Sequence, residues 1–175
     1  MQSDERLMEA VARRDLDAFD ELVRRHQDSA WRIAYHYLKD PSEAEDVVQE
    51  VFLKILAAAP RYRPRSKFST YLYRIIANLC LDVRRKNRPQ YTEDVPRLEN
   101  GYAGPDEALR RRERQRIVRR TVDKLPERQR LAVVLRYFEE LSLTEIAAAM
   151  DTSYKSVERL LARARKSLAG HLADF

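Results

Sequence analysis

Apolar residues along this chain recur every third or fourth position, the spacing of helices with one buried face. Ser3 stands where it caps a short first helix carrying Leu7, Met8 and Val11. A longer helix follows, with Phe19, Leu22, Val23, Ala30, Trp31, Ile33, Ala34, Tyr37 and Leu38 along its stripe. Ser42 with Glu45 three residues on is a capping box that predicts the start of a third helix, and Pro60 predicts its end. Its stripe is Ala44, Val47, Val48, Val51, Phe52 and Ile55, which leaves Asp46, Gln49, Glu50, Leu53 and Ala57 facing outward. A fourth helix, expected from about Thr70 to Lys86, buries Leu72, Ile75, Ile76, Leu79 and Val83 and presents Tyr71, Arg74, Asn78, Asp82 and Arg85 on its other side.

The second half repeats the helical pattern with different punctuation. Leu125-Pro126-Glu127 opens a helix whose apolar positions are Leu131, Val134, Leu135 and Phe138. Ser142 and Glu145 form another capping box, followed by Ile146 to Met150, a break at Asp151-Thr152-Ser153, and a last helix burying Val157, Leu160, Leu161, Ala164 and Leu168. Two short helices joined by so tight a turn, with the small Ala147 at their crossing, make a helix-turn-helix. Between the halves, residues 89–108 hold Pro89, Pro96, Gly101, Gly104 and Pro105 and no apolar stripe. The expected fold is therefore all-α: an N-terminal helical bundle over 1–88, a flexible linker over 89–108, and a C-terminal helix-turn-helix domain over 109–175.

Composition narrows the classes of function. Only three of 175 residues are glycine, which disfavours a β-sandwich, a barrel and a Gly-rich phosphate loop. The single cysteine, Cys80, excludes an internal disulfide and a Cys-based zinc site, and reads as a small core residue. No apolar run is long enough to suggest membrane insertion. A metal site built from His36 with Glu43, Asp46 and Glu50 is disfavoured, because the acids face outward and no Glu-x-x-His pair exists. No metal and no cofactor is expected. The net charge of +6 conceals a pattern: residues 1–60 carry −5, 61–88 carry +8, 89–108 carry −4 and 109–175 carry +7. Two basic zones separated by an acidic one predict two polyanion-facing surfaces.

The residues in those zones suit nucleic acid. The loop after Pro60, Arg61-Tyr-Arg63-Pro-Arg-Ser-Lys67-Phe68-Ser69-Thr70, mixes cations, aromatics and hydroxyls, so cations track phosphates and rings stack on bases of a single strand. On the following helix Asn78 offers a base edge both a donor and an acceptor, between Arg74 and Arg85. Tyr71 and Tyr73 serve equally well as stacking rings or as covers for the rim of the core. A helix-turn-helix places its second helix in the major groove. There Ser153, Tyr154, Lys155, Ser156, Glu158, Arg159, Arg163 and Lys166 point away from the buried stripe. Arg159 suits guanine and Glu158 suits cytosine, while Lys155, Arg163 and Lys166 suit phosphates.

Four segments in this order resemble the extracytoplasmic-function (ECF) group of bacterial sigma factors of the sigma-70 family: Glu43 to Ile55, Phe68 to Asn78, Leu125 to Arg130, and Leu143-Thr-Glu-Ile-Ala147 through Ala162 to Lys166. The resemblance implies a non-enzymatic, cytoplasmic initiation factor, often tied to stress responses. Asp46, Gln49 and Glu50, with Leu53 and Lys54 beside them, would dock on core RNA polymerase. Arg61, Arg63, Lys67, Phe68, Ser69, Thr70, Tyr71, Tyr73, Arg74, Asn78 and Arg85 would hold the −10 element of promoter DNA and trap a flipped base, and the helix-turn-helix would read the −35 element. An anti-sigma factor is a further implied partner, with the chain a monomer when free of it. Tyr71 stands where the family often has Trp, and Val157-Glu158-Arg159-Leu160-Leu161 differs from the family's usual recognition run. The rival reading is a stand-alone helix-turn-helix regulator that binds a palindromic site as a dimer.

Overall fold

The computed structural model describes residues 2–64, 66–86 and 121–173. Among these, the α-helices are α1 (Asp4–Ala12), α2 (Leu16–Leu38), α3 (Pro41–Ala58), α4 (Phe68–Lys86), α5 (Glu127–Tyr137), α6 (Leu143–Ala149) and α7 (Tyr154–Ala173), with a 3-10 turn at Ala59–Arg61. The fold is all-α. The expected linker 89–108, both expected domain boundaries and the arginine run from Arg110 to Arg120 lie outside the described residues.

Most helix ends follow from local chemistry. Ser3 accepts from the Arg6 N–H and Asp15 from the Ala18 N–H at 3.0 Å, each satisfying a donor that the first helical turn leaves open. Helix α3 starts at Pro41; its cap, Asp40, lies two residues before Ser42 and accepts from the Glu43 N–H at 3.0 Å. Proline's fixed φ suits that first position, and an aspartate is as good a cap as a serine. The Ser142–Glu145 box forms in full, and hydrogen bonds donated by the Ser142 hydroxyl and N–H hold the Glu145 carboxyl below its ordinary range.

Helix α4 begins at Phe68 rather than Thr70 because α1 supplies a partner for its first turn. Glu5 Oε1 accepts from the Phe68 N–H at 3.0 Å. This bond is the chief reason the Glu5 carboxyl lies below its ordinary value of 4.5. Asp4 in turn pairs with Arg25 and His26, each at 2.8 Å, so α1 straps the start of α4 to α2.

The N-terminal core closes where α2 meets α1, α3 and α4, burying Leu22, Ile33, Tyr37, Val51, Ile55, Leu72 and Ile76 completely. The C-terminal core of α5, α6 and α7 buries Leu131, Leu135, Ile146, Val157 and Ala164. The two halves also touch, α5 lying on α2 and α4, and α6 on α4. Phe138 departs from expectation. It is 42% exposed, because it stands at the end of α5 and stacks its ring on His36 of the other half, 3.8 Å between centroids.

Two outcomes follow from this packing. Leu72→Ala should cost about 2–5 kcal/mol, read as a lower denaturation midpoint. Because the Glu5 carboxyl is depressed in the folded chain, its contribution is complete above about 4.5 and fades as pH falls through its lowered value. Glu5→Gln should remove that part of the acid-side stability profile.

Candidate nucleic-acid interface

On α3 the apolar stripe turns inward and the outward face carries Asp46, Gln49, Glu50, Leu53 and Lys54, all exposed. Leu53 is 60% exposed, an apolar side chain held in water between charged neighbours. Lys54 pairs with Glu50 one turn back at 3.1 Å, an exposed pair that screens easily and contributes little to stability.

Helix α4 sorts its candidates onto different faces. Arg74, Asn78 and Arg85 lie open, with Asp82 among them and 3.7 Å from Arg85. Arg61, Arg63 and Lys67 are exposed in the preceding segment, and Ser69, Thr70 and Tyr71 are partly covered. Phe68 does not stand on this surface. Its ring is 1% exposed, packed against His26, Tyr62 and Tyr71, and it acts as a core anchor for the start of the helix. Tyr71 leans on both Tyr62 and Phe68, and burial first of all pushes its hydroxyl pKa up. Tyr73 turns away from the open row toward α2, its hydroxyl 3.5 Å from Ser29 Oγ.

On the recognition helix α7 and its turn, Ser153, Tyr154, Lys155, Glu158, Arg159, Arg163 and Lys166 are exposed and Ser156 is partly covered. Ser153 Oγ accepts from the Ser156 N–H at 3.2 Å, which caps the start of α7. Beside it lies a cleft of about 340 Å³ lined by Arg128, Thr152, Ser156, Arg159, Leu160 and Arg163. Three guanidinium groups, two hydroxyls and no carboxylate suit a phosphate. Arg128 and Thr152 were not legible as part of this set. Arg128 comes from α5, and only the fold brings it to α7, where it donates to the Met150 carbonyl at 3.4 Å. Among the described residues no group of three or more His, Cys, Asp or Glu side chains is placed to hold a metal, and no helix is long and apolar enough to cross a membrane.

The described residues thus hold an open polar row on α4 and an open polar face on α7, on two helical units. Residues 22–90 match Sigma-70 region 2, and residues 115–168 match Sigma-70, region 4. The chain is 32% identical to the ECF RNA polymerase sigma factor SigW of Bacillus subtilis, over 94% of each chain. It is 34% identical to the ECF RNA polymerase sigma-E factor of Escherichia coli K12, covering 95% of this chain and 92% of that one. Its fold superposes on CnrH, solved in complex with the cytosolic domain of CnrY, with a TM-score of 0.74, 28% identity and 99% of both chains covered. The chain belongs to the ECF sigma factors of the sigma-70 family. Its function is that of a sigma factor, which directs core RNA polymerase to promoters and starts transcription.

The cleft makes a quantitative distinction. Arg128→Ala should weaken duplex binding about equally on all sequences and lower the salt slope by about one, whereas Arg159→Ala should cost about 1–3 kcal/mol at one base pair and relax specificity there. Titrating matched and mismatched duplexes at several salt concentrations separates the two effects.

Proposed function

We propose that the outward face of α3, with Asp46, Gln49, Glu50, Leu53 and Lys54, docks on core RNA polymerase. Arg61, Arg63, Lys67, Ser69, Thr70, Tyr71, Arg74, Asn78 and Arg85 hold the −10 element, with Phe68 supporting them from the core. Ser153, Tyr154, Lys155, Ser156, Glu158, Arg159, Arg163 and Lys166 read the −35 element. The domains run over 1–88 and 109–175, with 89–108 as linker. The factor acts in the cytoplasm, performs no covalent chemistry, is a monomer when free, and is held in check by an anti-sigma factor. A structural neighbour, the sigma factor RpoE, solved in complex with the anti-sigma factor NepR from Bartonella quintana, supports that last assignment.

The carrying observation is that α4 leaves the Arg74, Asn78, Asp82 and Arg85 row open while α7 leaves its own recognition face open on the same chain. Two separate DNA faces suit a factor that touches duplex and melted DNA at once. Flipping a base costs a few kcal/mol, which stacking on Tyr71 and hydrogen bonds from Asn78 offset when polymerase holds the strand nearby. An aromatic ring contributes about 1–3 kcal/mol per stacked base.

Run-off transcription with core polymerase tests the reading, and absence of a promoter-specific transcript from every candidate promoter defeats it. Asp46→Ala with Glu50→Ala should weaken polymerase binding while leaving −35 duplex binding by the full chain unchanged. Equal loss of both would point to unfolding. Tight binding of a palindromic duplex by a dimer of the chain alone would favour the stand-alone regulator.

A further inference from the structure

The cleft beside the recognition helix gathers more positive charge than a strand of DNA calls for. Arg128 of α5 and Arg159 and Arg163 of α7 line it, with the hydroxyls of Thr152 and Ser156. Among the described residues none of these three guanidinium groups pairs with a carboxylate. Each backbone phosphate of a duplex brings a single negative charge. A terminal phosphate carries about −1.5 to −2 near neutral pH, so a short polyphosphate matches three cations in one concavity far better than a diester does.

The donors are held in place before any ligand arrives. Asp151, at φ 47°, turns the chain after α6, and the Thr152 N–H then donates to the Ala147 carbonyl at 2.9 Å. Ser153 Oγ accepts from the Ser156 N–H at 3.2 Å and donates to Ser156 Oγ at 3.0 Å, which fixes the second hydroxyl. Arg128 spends one bond on the Met150 carbonyl and Arg159 its Nε on the Lys155 carbonyl at 3.3 Å. Each guanidinium group carries five N–H donors, so most remain for an anion. Ser156 also belongs to the first turn of α7, where the helix dipole favours negative charge. A volume of about 340 Å³ holds more than one phosphate and falls at the small end of ligand sites, which run from about 300 to 1,000 Å³. Leu160 and the flat guanidinium planes offer a wall on which a base can rest.

We propose that this cleft binds a free polyphosphate group, of a nucleotide or of an inorganic chain, and that its occupant competes with duplex DNA for the recognition helix. The competition rests on the assignment of α7 to the −35 element. Arg159 is the cation given there to a guanine edge and Arg163 the one given to phosphate. An occupant that engages them withdraws both from the duplex, and by linkage the duplex expels the occupant to the same degree. The cleft thereby makes −35 reading answer to the supply of free polyphosphate.

Calorimetric titration of the full chain with inorganic tripolyphosphate, at fixed ionic strength and without magnesium, tests the site. One saturable site should appear, about tenfold or more tighter than for sulfate. Arg128→Ala and Arg163→Ala should each weaken it about tenfold with helical circular dichroism retained, while Arg74→Ala on the open row of α4 leaves it unchanged. Tripolyphosphate should displace a short duplex from the chain where sulfate at the same ionic strength does not, a control needed because phosphate contacts weaken with salt. Adenosine triphosphate separates the two sources. Binding about threefold or more tighter than tripolyphosphate assigns the cleft to nucleotides, and equal or weaker binding assigns it to inorganic chains. Tripolyphosphate binding no tighter than sulfate, or equal losses in Arg74→Ala and Arg128→Ala, would overturn the proposal. Duplex binding that tripolyphosphate leaves intact defeats the competition alone. An Arg128-dependent site on a chain that binds no duplex leaves the polyphosphate cleft standing and defeats the assignment of α7 to DNA.

Discussion

A helix has one circumference, and α4 divides its own three ways. Leu72, Ile76, Ala77 and Cys80 are all fully buried, and the helix packs on α2 and α3 as well as on α5 and α6 of the other half. What remains is the open row of Arg74, Asn78, Asp82 and Arg85. Small side chains at 77 and 80 permit a close approach, since interhelical distance follows the size of the residues at the contact. Burial pushes the Cys80 thiol up to about 12, so it stays a protonated packing atom. Helices α2, α3, α5 and α6 pack on α4 directly, α1 reaches it through α2, and α7 through α5 and α6.

The charge pattern fits this partition. The acidic face of α3 points away from the core on a different helix from the basic row of α4, and the cationic cleft lies on α5 and α7. A factor that docks on one large partner and grips a polyanion needs those signs apart, because surfaces of opposite sign brought together would cancel each other's fields. A single net figure of +6 hides that separation.

Periodicity made the helices and their buried stripes legible, because a 3.6-residue repeat is a property of each segment alone. Helix starts were less so: Asp40 with Pro41 outcompetes Ser42, and α4 gains two residues from Glu5, which lies 63 positions away in sequence. The candidate surfaces were legible as faces but not in their members. Phe68 looks like a stacking ring in a basic loop, yet it anchors the helix, since an aromatic next to cations reads the same whether it points in or out. Tyr73 sits two residues from Tyr71 in sequence but about 200° around the helix, and only the packing of α2 shows which way that sends it. The place of Arg128 in the cleft, and the packing of α5 and α6 on α4, depend on contacts between distant segments, which no local repeat encodes.

The bond from the Phe68 N–H to Glu5 fastens the far end of the basic segment that begins after the 3-10 turn at Ala59–Arg61. Tyr62 packs against Phe68 and Tyr71 at the near end. The segment is thus moored at both ends before any strand arrives. Ordering a backbone residue costs about 1–2 kcal/mol, and moored ends have already borne part of that cost during folding. The first helix of the chain, remote in sequence from every proposed DNA contact, thereby acts on affinity through entropy that binding no longer has to supply.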